Sequence, residues 1–132
     1  MPQAESLRLP RPLVNQLLHI AQQAVSFSQG FVLHRGDDHF LCAPLPADGN
    51  LVQSVKQLHR RQERVFAFYR SSNTVLPPLA VAELKTIAEF VSLYLAVGLD
   101  IKGVLQLRAW RIDGLKILEL DVAITEANTP PQ

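Results

Sequence analysis

The residues of this chain that could do chemistry lie in two short segments, and the first is the stretch HRGDDH from His34 to His39. Its imidazole and carboxylate groups are all ligand types for divalent metals, and they belong to His34, Asp37, Asp38 and His39. The two aspartates also follow Gly36 between two β-rich runs, which is typical of a tight hairpin turn. We therefore interpret them as turn residues and the two histidines as flanks of the loop, with a metal site as the alternative.

The second segment is FAFYRSSNTVLPPLAVAEL, from Phe66 to Leu84, which holds two adjacent hydroxyls and a carboxylate. Neither Ser71 nor Ser72 has a histidine within a few residues to activate it. A catalytic zinc needs three protein ligands, whereas Arg70 has only donors and stays protonated, and a neutral serine hydroxyl binds zinc poorly. Glu83 is then the single good ligand, so we predict no catalytic residue, metal or cofactor in this segment.

The spacing of this segment resembles the motif of the JAB/MPN (Mov34/PAD-1, JAMM-type) family. Metal-binding members carry an early Glu and then His-Ser/Thr-His-Pro, six further residues and Ser-x-x-Asp. Aligned without a gap, the family's His, Ser, His, Pro, Ser and Asp fall, in that order, on Arg70, Ser71, Ser72, Asn73, Ala80 and Glu83. Only Ser71 keeps the family's residue type, and Glu83 is a conservative change.

The early Glu of the family stands three residues before a Gly that follows the first helix. That Gly is Gly30 here, so the resemblance places the general base at Phe27, whose side chain cannot take up a proton. The motif is thus degenerate, and the resemblance implies a pseudoenzyme that has lost zinc-dependent peptidase activity.

The resemblance extends from Leu9 to Ile124, because helix, two strands, helix, strand, motif loop, helix and three strands follow in the family's order. It implies an α/β fold of the JAB/MPN-like (cytidine-deaminase-like) type, with a mixed β-sheet flanked by about three helices. We expect a flexible N-terminus over 1–8, the domain over 9–124 and a disordered tail over 125–132. The implied partner is a protein: a second copy, an active JAB/MPN paralogue or a ubiquitin-like protein.

The apolar periodicity predicts the elements independently of any family. Three helical stripes begin near Leu13, Leu51 and Ala80, the first of them behind two prolines. The contiguous apolar run from Val65 to Tyr69 predicts a buried central strand. Further runs predict strands over 91–99, 104–112 and 115–124, with Asp113-Gly114 as a hairpin turn.

A basic stripe is the most prominent charge pattern. Lys56, Arg60 and Arg64 repeat every four residues along the predicted second helix. We interpret the stripe as a solvated face, with a surface for an acidic partner as the alternative.

Composition limits the remaining classes of function. The chain has 132 residues, 48% hydrophobic and 19% charged, which suits one globular domain, and its net charge of +1 does not indicate a nucleic-acid partner. It shows no secretory signal or apolar run long enough for a membrane helix, and one cysteine, Cys42, cannot form an internal disulfide. We therefore expect a cytoplasmic protein with no membrane partner, and a buried, inert thiol at Cys42.

Two alternatives to the pseudoenzyme stay open, and each has a structural test. A hydrolase with an unrelated site would bring His34, His39 and an aspartate into one pocket. A small-ligand regulatory domain would have an enclosed apolar cavity near Phe27 and Tyr69. We also predict that Arg70 forms an ion pair with Glu83, so that a fixed cation takes the place of the metal.

Overall fold

In a computed structural model, which describes residues 6–23, 28–36, 39–45, 50–114 and 116–126, the chain forms three helices and seven strands. The helices are α1 (Arg11–Gln23), α2 (Leu51–Arg60) and α3 (Val81–Ala88). The strands are β1 (Ser6–Pro10), β2 (Ser28–His34), β3 (Phe40–Pro44), β4 (Arg64–Ser71), β5 (Leu93–Leu99), β6 (Leu105–Asp113) and β7 (Lys116–Thr125). The predicted mixed sheet with about three helices is confirmed.

The strands form one sheet in the order β1-β7-β6-β5-β4-β2-β3. Two neighbouring pairs are parallel, β1 with β7 and β4 with β5. The remaining pairs are antiparallel, among them the predicted hairpin of β2 and β3. The parallel step from β4 to β5 needs a crossover, which the loop 72–80 and α3 provide.

The helices cover the sheet from both sides. On one side α1 buries Leu13, Leu17 and Ala21 against the strands. On the other side α2 buries Val55, and α3 buries Leu84 and Ile87. We refer to these two surfaces of the sheet as the α1 face and the α2/α3 face. Each face has its own apolar cluster, so strand residues alternate between two buried environments.

A bulge in β4 decides which residues reach each face. Val32 of β2 pairs with Ala67, but the next residue, Leu33, pairs with Val65, so Phe66 is an extra residue. Phe66 and Ala67 consequently both pack on the α1 face. After the bulge the ordinary alternation of strand side chains resumes from Ala67. The last residues of β4 therefore point in turn to one face and then to the other.

The structure differs from the predictions at three element boundaries. Residues 6–8, which the prediction places before the domain, lie in β1, where Ser6, Leu7 and Arg8 pair with β7. The β6–β7 hairpin closes one residue later than predicted, since Asp113 pairs with Lys116. At the other end Thr125 belongs to β7, while 127–132 lie outside the described residues.

Within the described ranges, none of the three helices is long and apolar enough to cross a membrane.

Candidate functional site

The site is organised around Arg70, the next-to-last residue of β4. Its side chain is 6% exposed and lies on the α2/α3 face. The guanidinium Nε donates to the Tyr94 hydroxyl at 2.6 Å, and Nη2 donates to the carbonyl oxygen of Pro77. Arg70 thus connects β4 to the neighbouring strand β5 and to the loop that leads into α3.

Tyr94 belongs to a row of aromatic rings that crosses the middle of the sheet. Phe31 packs edge-on against Phe68 at 5.6 Å between ring centroids, and Phe68 lies 6.0 Å from Tyr94. Tyr94 stacks on Trp110 at 5.0 Å. These four residues, the aromatic row, come from β2, β4, β5 and β6 and form a rigid floor on the α2/α3 face.

The Tyr94 phenol is held in its neutral form. Burial raises its pKa, the adjacent Arg70 charge and hydrogen bond oppose that rise, and the more distant Glu83 carboxylate adds a smaller increase. At neutral pH the hydroxyl therefore accepts from Arg70 and keeps its own proton, which it can donate.

A cleft of about 600 Å³ opens beside Arg70. The loop after β4 forms one wall, and strands β5, β6 and β7 with the β5–β6 connection form the others. The lining residues are Arg70, Val75, Leu76, Pro77, Pro78, Leu79, Tyr94, Ala96, Gly98, Leu99, Asp100, Ile101, Gln106, Arg108, Trp110 and Ile117. Most of these side chains are apolar, and the volume is typical of a small-molecule site.

Two solved structures share this arrangement of helices and strands. Protein DSY2949 from Desulfitobacterium hafniense matches with a TM-score of 0.61 at 17% sequence identity, over 91% of this chain and 93% of its own. AF2198, a JAB1/MPN domain protein from Archaeoglobus fulgidus, matches with a TM-score of 0.54 at 13% identity, over 88% of this chain and 98% of its own. The fold is that of a JAB/MPN domain. No protein-family model and no curated protein matches the sequence.

The degenerate motif residues lie on different sides of the JAB/MPN-type sheet. Arg70 lines the cleft, whereas Ser71 is fully buried and pairs with Val97 and Ser28, which places it on the opposite, α1 face. The Ser71 hydroxyl has no hydrogen-bond partner among the described residues. The single retained motif residue therefore does not face the cleft.

Ser72 and Ala80 bracket the loop that forms the cleft wall. The Ser72 hydroxyl is within 2.7 Å of the Thr74 hydroxyl and accepts from the Thr74 N–H, which folds the start of the loop. Its backbone N–H donates to Val97 O at 2.9 Å. Ala80 precedes α3 and provides no side-chain cap. Phe27 lies outside the described residues.

The predicted ion pair between Arg70 and Glu83 is wrong. The guanidinium turns instead to Tyr94 and Pro77, and no contact joins it to the Glu83 carboxylate. The reason is the orientation of α3: Leu84 and Ile87 face the sheet, so Glu83 is exposed in the first turn. A carboxylate there interacts favourably with the helix dipole, as the sequence also indicates.

The remaining ligand-type residues do not converge in the described ranges. His34 stacks on Phe40 at 4.8 Å and lines a separate polar cleft with Glu63, and His39 is not part of that lining. Asp37 and Asp38 lie outside the described residues. Within those described, no three His, Cys, Asp or Glu side chains come together as a metal-binding group.

The predicted basic stripe is interrupted by the end of α2. Lys56 and Arg60 are exposed on the helix, but Gln62 adopts a left-handed backbone conformation with φ of 59°, and Arg64 opens β4. The four-residue spacing therefore does not describe one helical face over all three residues. Whether the three basic residues bind a partner stays a prediction.

Cys42 and Tyr69 are the other residues that the sequence singles out. Burial raises the pKa of the half-buried Cys42 thiol to about 12, so the nucleophilic thiolate does not form at neutral pH. Tyr69 is fully buried on the α1 face, so the cleft beside Tyr94 is not the enclosed cavity near Phe27 and Tyr69 that would indicate a small-ligand regulatory domain. Sequence reasoning missed Tyr94, Trp110 and Arg108, although alternation along β6 places Arg108 and Trp110 on one face.

Proposed function

We propose that this domain performs no zinc-dependent hydrolysis and acts as a protein-binding or scaffolding module. The observation that carries the proposal is the buried Arg70, which stands where the family motif has its first zinc-binding histidine. Two hydrogen bonds fix its guanidinium beside the cleft. A permanent cation at that point repels a metal ion, and it has no lone pair with which to bind one.

The rim of the cleft supplies a surface for a protein partner. Ile101 is fully exposed, Val75 is 69% exposed and Ile117 is 40% exposed, and all three line the cleft. Large apolar side chains grouped around a cleft are typical of a surface that another protein covers. The partner that we propose is a second copy or another JAB/MPN-type subunit, with a ubiquitin-like protein as the next candidate.

We expect the purified protein to contain no stoichiometric zinc and to leave ubiquitin-like and peptide conjugates uncleaved. Elemental analysis of the protein and a cleavage assay, each with and without a chelator, measure the two properties. One zinc per chain that survives mild chelation, or hydrolysis that a chelator abolishes, would contradict the proposal.

We also expect association through the rim. In light scattering at high concentration the wild type should form a dimer or bind another subunit. Ile101→Asp should weaken that association about tenfold or more, because it places a charge in an apolar interface.

Val81→Asp is the matched control. Val81 is 64% exposed but does not line the cleft, and an aspartate suits the first turn of α3. Association through the rim is contradicted if the wild type is monomeric at every concentration and also captures no other protein in a pull-down from a cell extract. It is contradicted as well if Ile101→Asp and Val81→Asp weaken association equally.

A further inference from the structure

Arg70 carries donors for which the described residues of the protein offer no acceptor. A guanidinium has five N–H groups, and two of those of Arg70 are accounted for by Tyr94 and Pro77. No other described residue accepts from it, and no described carboxylate forms an ion pair with it. Three donors of Arg70, a residue that is only 6% exposed and lines the cleft, therefore have no acceptor among the described residues. A buried charge is costly unless it is paired, so the position favours an anion.

The other charged groups of the cleft are already engaged. Arg108 lies over the Trp110 ring and forms a two-point ion pair with Glu119, whose nearest contact is 2.7 Å. Asp100 accepts from the backbone N–H groups of Lys102 and Val104, at 2.8 and 3.0 Å, and so holds the β5–β6 connection in its turn. Arg70 is thus the one lining cation that forms no ion pair among the described residues, and the Asp100 carboxylate is occupied by backbone N–H groups.

The surroundings of that charge are apolar. Tyr94 and Trp110 stack face to face at 5.0 Å with an angle of 20° between their planes, and both rings line the cleft. Leu76 and Pro77 on the loop also line the cleft, on its loop wall. A planar apolar group between the rings and the loop gains from burial and from contact with the aromatic side chains.

The end of β5, which lines the cleft, is not open to an added strand. The end of β5 is bonded to the loop after β4, through Ser72 N to Val97 O and Leu99 N to Thr74 O, both at 2.9 Å. Its other side is paired with β6. A peptide therefore cannot extend the sheet at the end of β5 by backbone hydrogen bonds. The geometry favours a small molecule over a peptide segment.

We propose that the cleft binds a small organic anion in which a carboxylate is attached to a planar apolar body. The carboxylate accepts from the unused N–H groups of Arg70 and from the Tyr94 hydroxyl, and the body lies against Trp110. This inference goes beyond the proposed scaffolding role and does not depend on it, because zinc content and partner binding are measured independently of ligand binding.

Calorimetric titration of the full chain with 2-naphthoate and with 2-naphthylmethanol tests the proposal. The two probes share a ring system and differ in the carboxylate. We expect the acid to bind about tenfold or more tightly than the alcohol, because a hydrogen-bonded charge contributes that much. Equal affinities, or no heat of binding for the acid at millimolar concentration, would overturn the proposal.

Variants then locate the site. Arg70→Met keeps most of the side-chain volume and should reduce the affinity for 2-naphthoate about tenfold while changing that for the alcohol less than about twofold. The exposed Arg61→Met is its control and should change neither. A loss of affinity for both probes in Arg70→Met, or for neither, would contradict the assigned contact.

A second variant keeps the test decisive if Arg70→Met does not fold. Gln106 is exposed and lines the cleft, so Gln106→Glu should weaken 2-naphthoate binding about threefold at low salt, and added salt should remove the effect. Gln57→Glu, on the exposed side of α2, is the control. Unchanged binding of 2-naphthoate in Gln106→Glu would overturn the location of the binding site.

The choice of a small molecule has its own test. A short peptide with a free C-terminal phenylalanine that binds more tightly than 2-naphthoate would overturn that choice.

Discussion

Replacing Gly30 with alanine is expected to lower the free energy of unfolding by about 3 kcal/mol or more. A Cβ atom on Gly30 would overlap the carbonyl oxygen of Ala43 and lie 2.7 Å from Cα of Pro44. Both are backbone atoms of β3, so relief requires the strand itself to move. Urea denaturation of the variant and the wild type measures the difference.

Gly98→Ala is the graded control for this experiment. Its added Cβ would lie 3.1 Å from Thr74 O and 3.2 Å from Cγ of Leu76, and the leucine side chain can give way. We expect a cost of about 1 kcal/mol there. Equal midpoints and slopes for Gly30→Ala and the wild type would show that the β2–β3 pair does not need the close approach.

Arg70→Ala is expected to destabilise the domain by about 2–4 kcal/mol, because it leaves the Tyr94 hydroxyl and Pro77 carbonyl without their donor and removes buried packing. Arg61→Ala, at an exposed position after α2, should stay within about 0.5 kcal/mol of the wild type. Arg70→Met should recover part of the loss, since it refills the volume without a charge. Thermal and urea unfolding of the three variants measure these differences.

A double-mutant cycle tests the revised surroundings of Arg70. Because Arg70 and Glu83 do not touch, the effects of Arg70→Met and Glu83→Leu should add to within about 0.5 kcal/mol. A coupling energy of about 2 kcal/mol between the two substitutions would instead indicate that Arg70 and Glu83 do form an ion pair. Similar small effects of Arg70→Ala and Arg61→Ala would contradict the role of the buried guanidinium.

The helices and the central strands are predictable from the sequence because their apolar residues recur at helical and strand periods. Leu13, Leu17 and Ala21 repeat behind two prolines, and all three are buried. β1 gives no such signal, because its short, partly exposed run acquires its structure by pairing with a distant strand. The bulge at Phe66 is also invisible in the sequence, since it depends on how β2 and β4 align.

For the candidate site, the motif spacing draws attention to Arg70 and the loop that follows it, which line the cleft. The identity of its partner depends on side-chain directions that spacing does not contain. Glu83 is close in sequence but is on the exposed side of α3, whereas Tyr94 comes from a neighbouring strand. The cleft itself combines a loop with residues of four strands, so no single segment of sequence describes it.

The pairing of β1 with β7 affects how the domain can form during synthesis. β1 is the first described strand in the chain and its partner β7 is the last. Ser6 can therefore pair with Asp121 only after Asp121 has left the ribosome. Leu9, which is fully buried in the finished sheet, has its strand partner Ile124 only at that stage. Contacts between residues so distant in sequence form slowly. The β1 edge of the sheet is therefore the last part to form, when the interior strands are already in place.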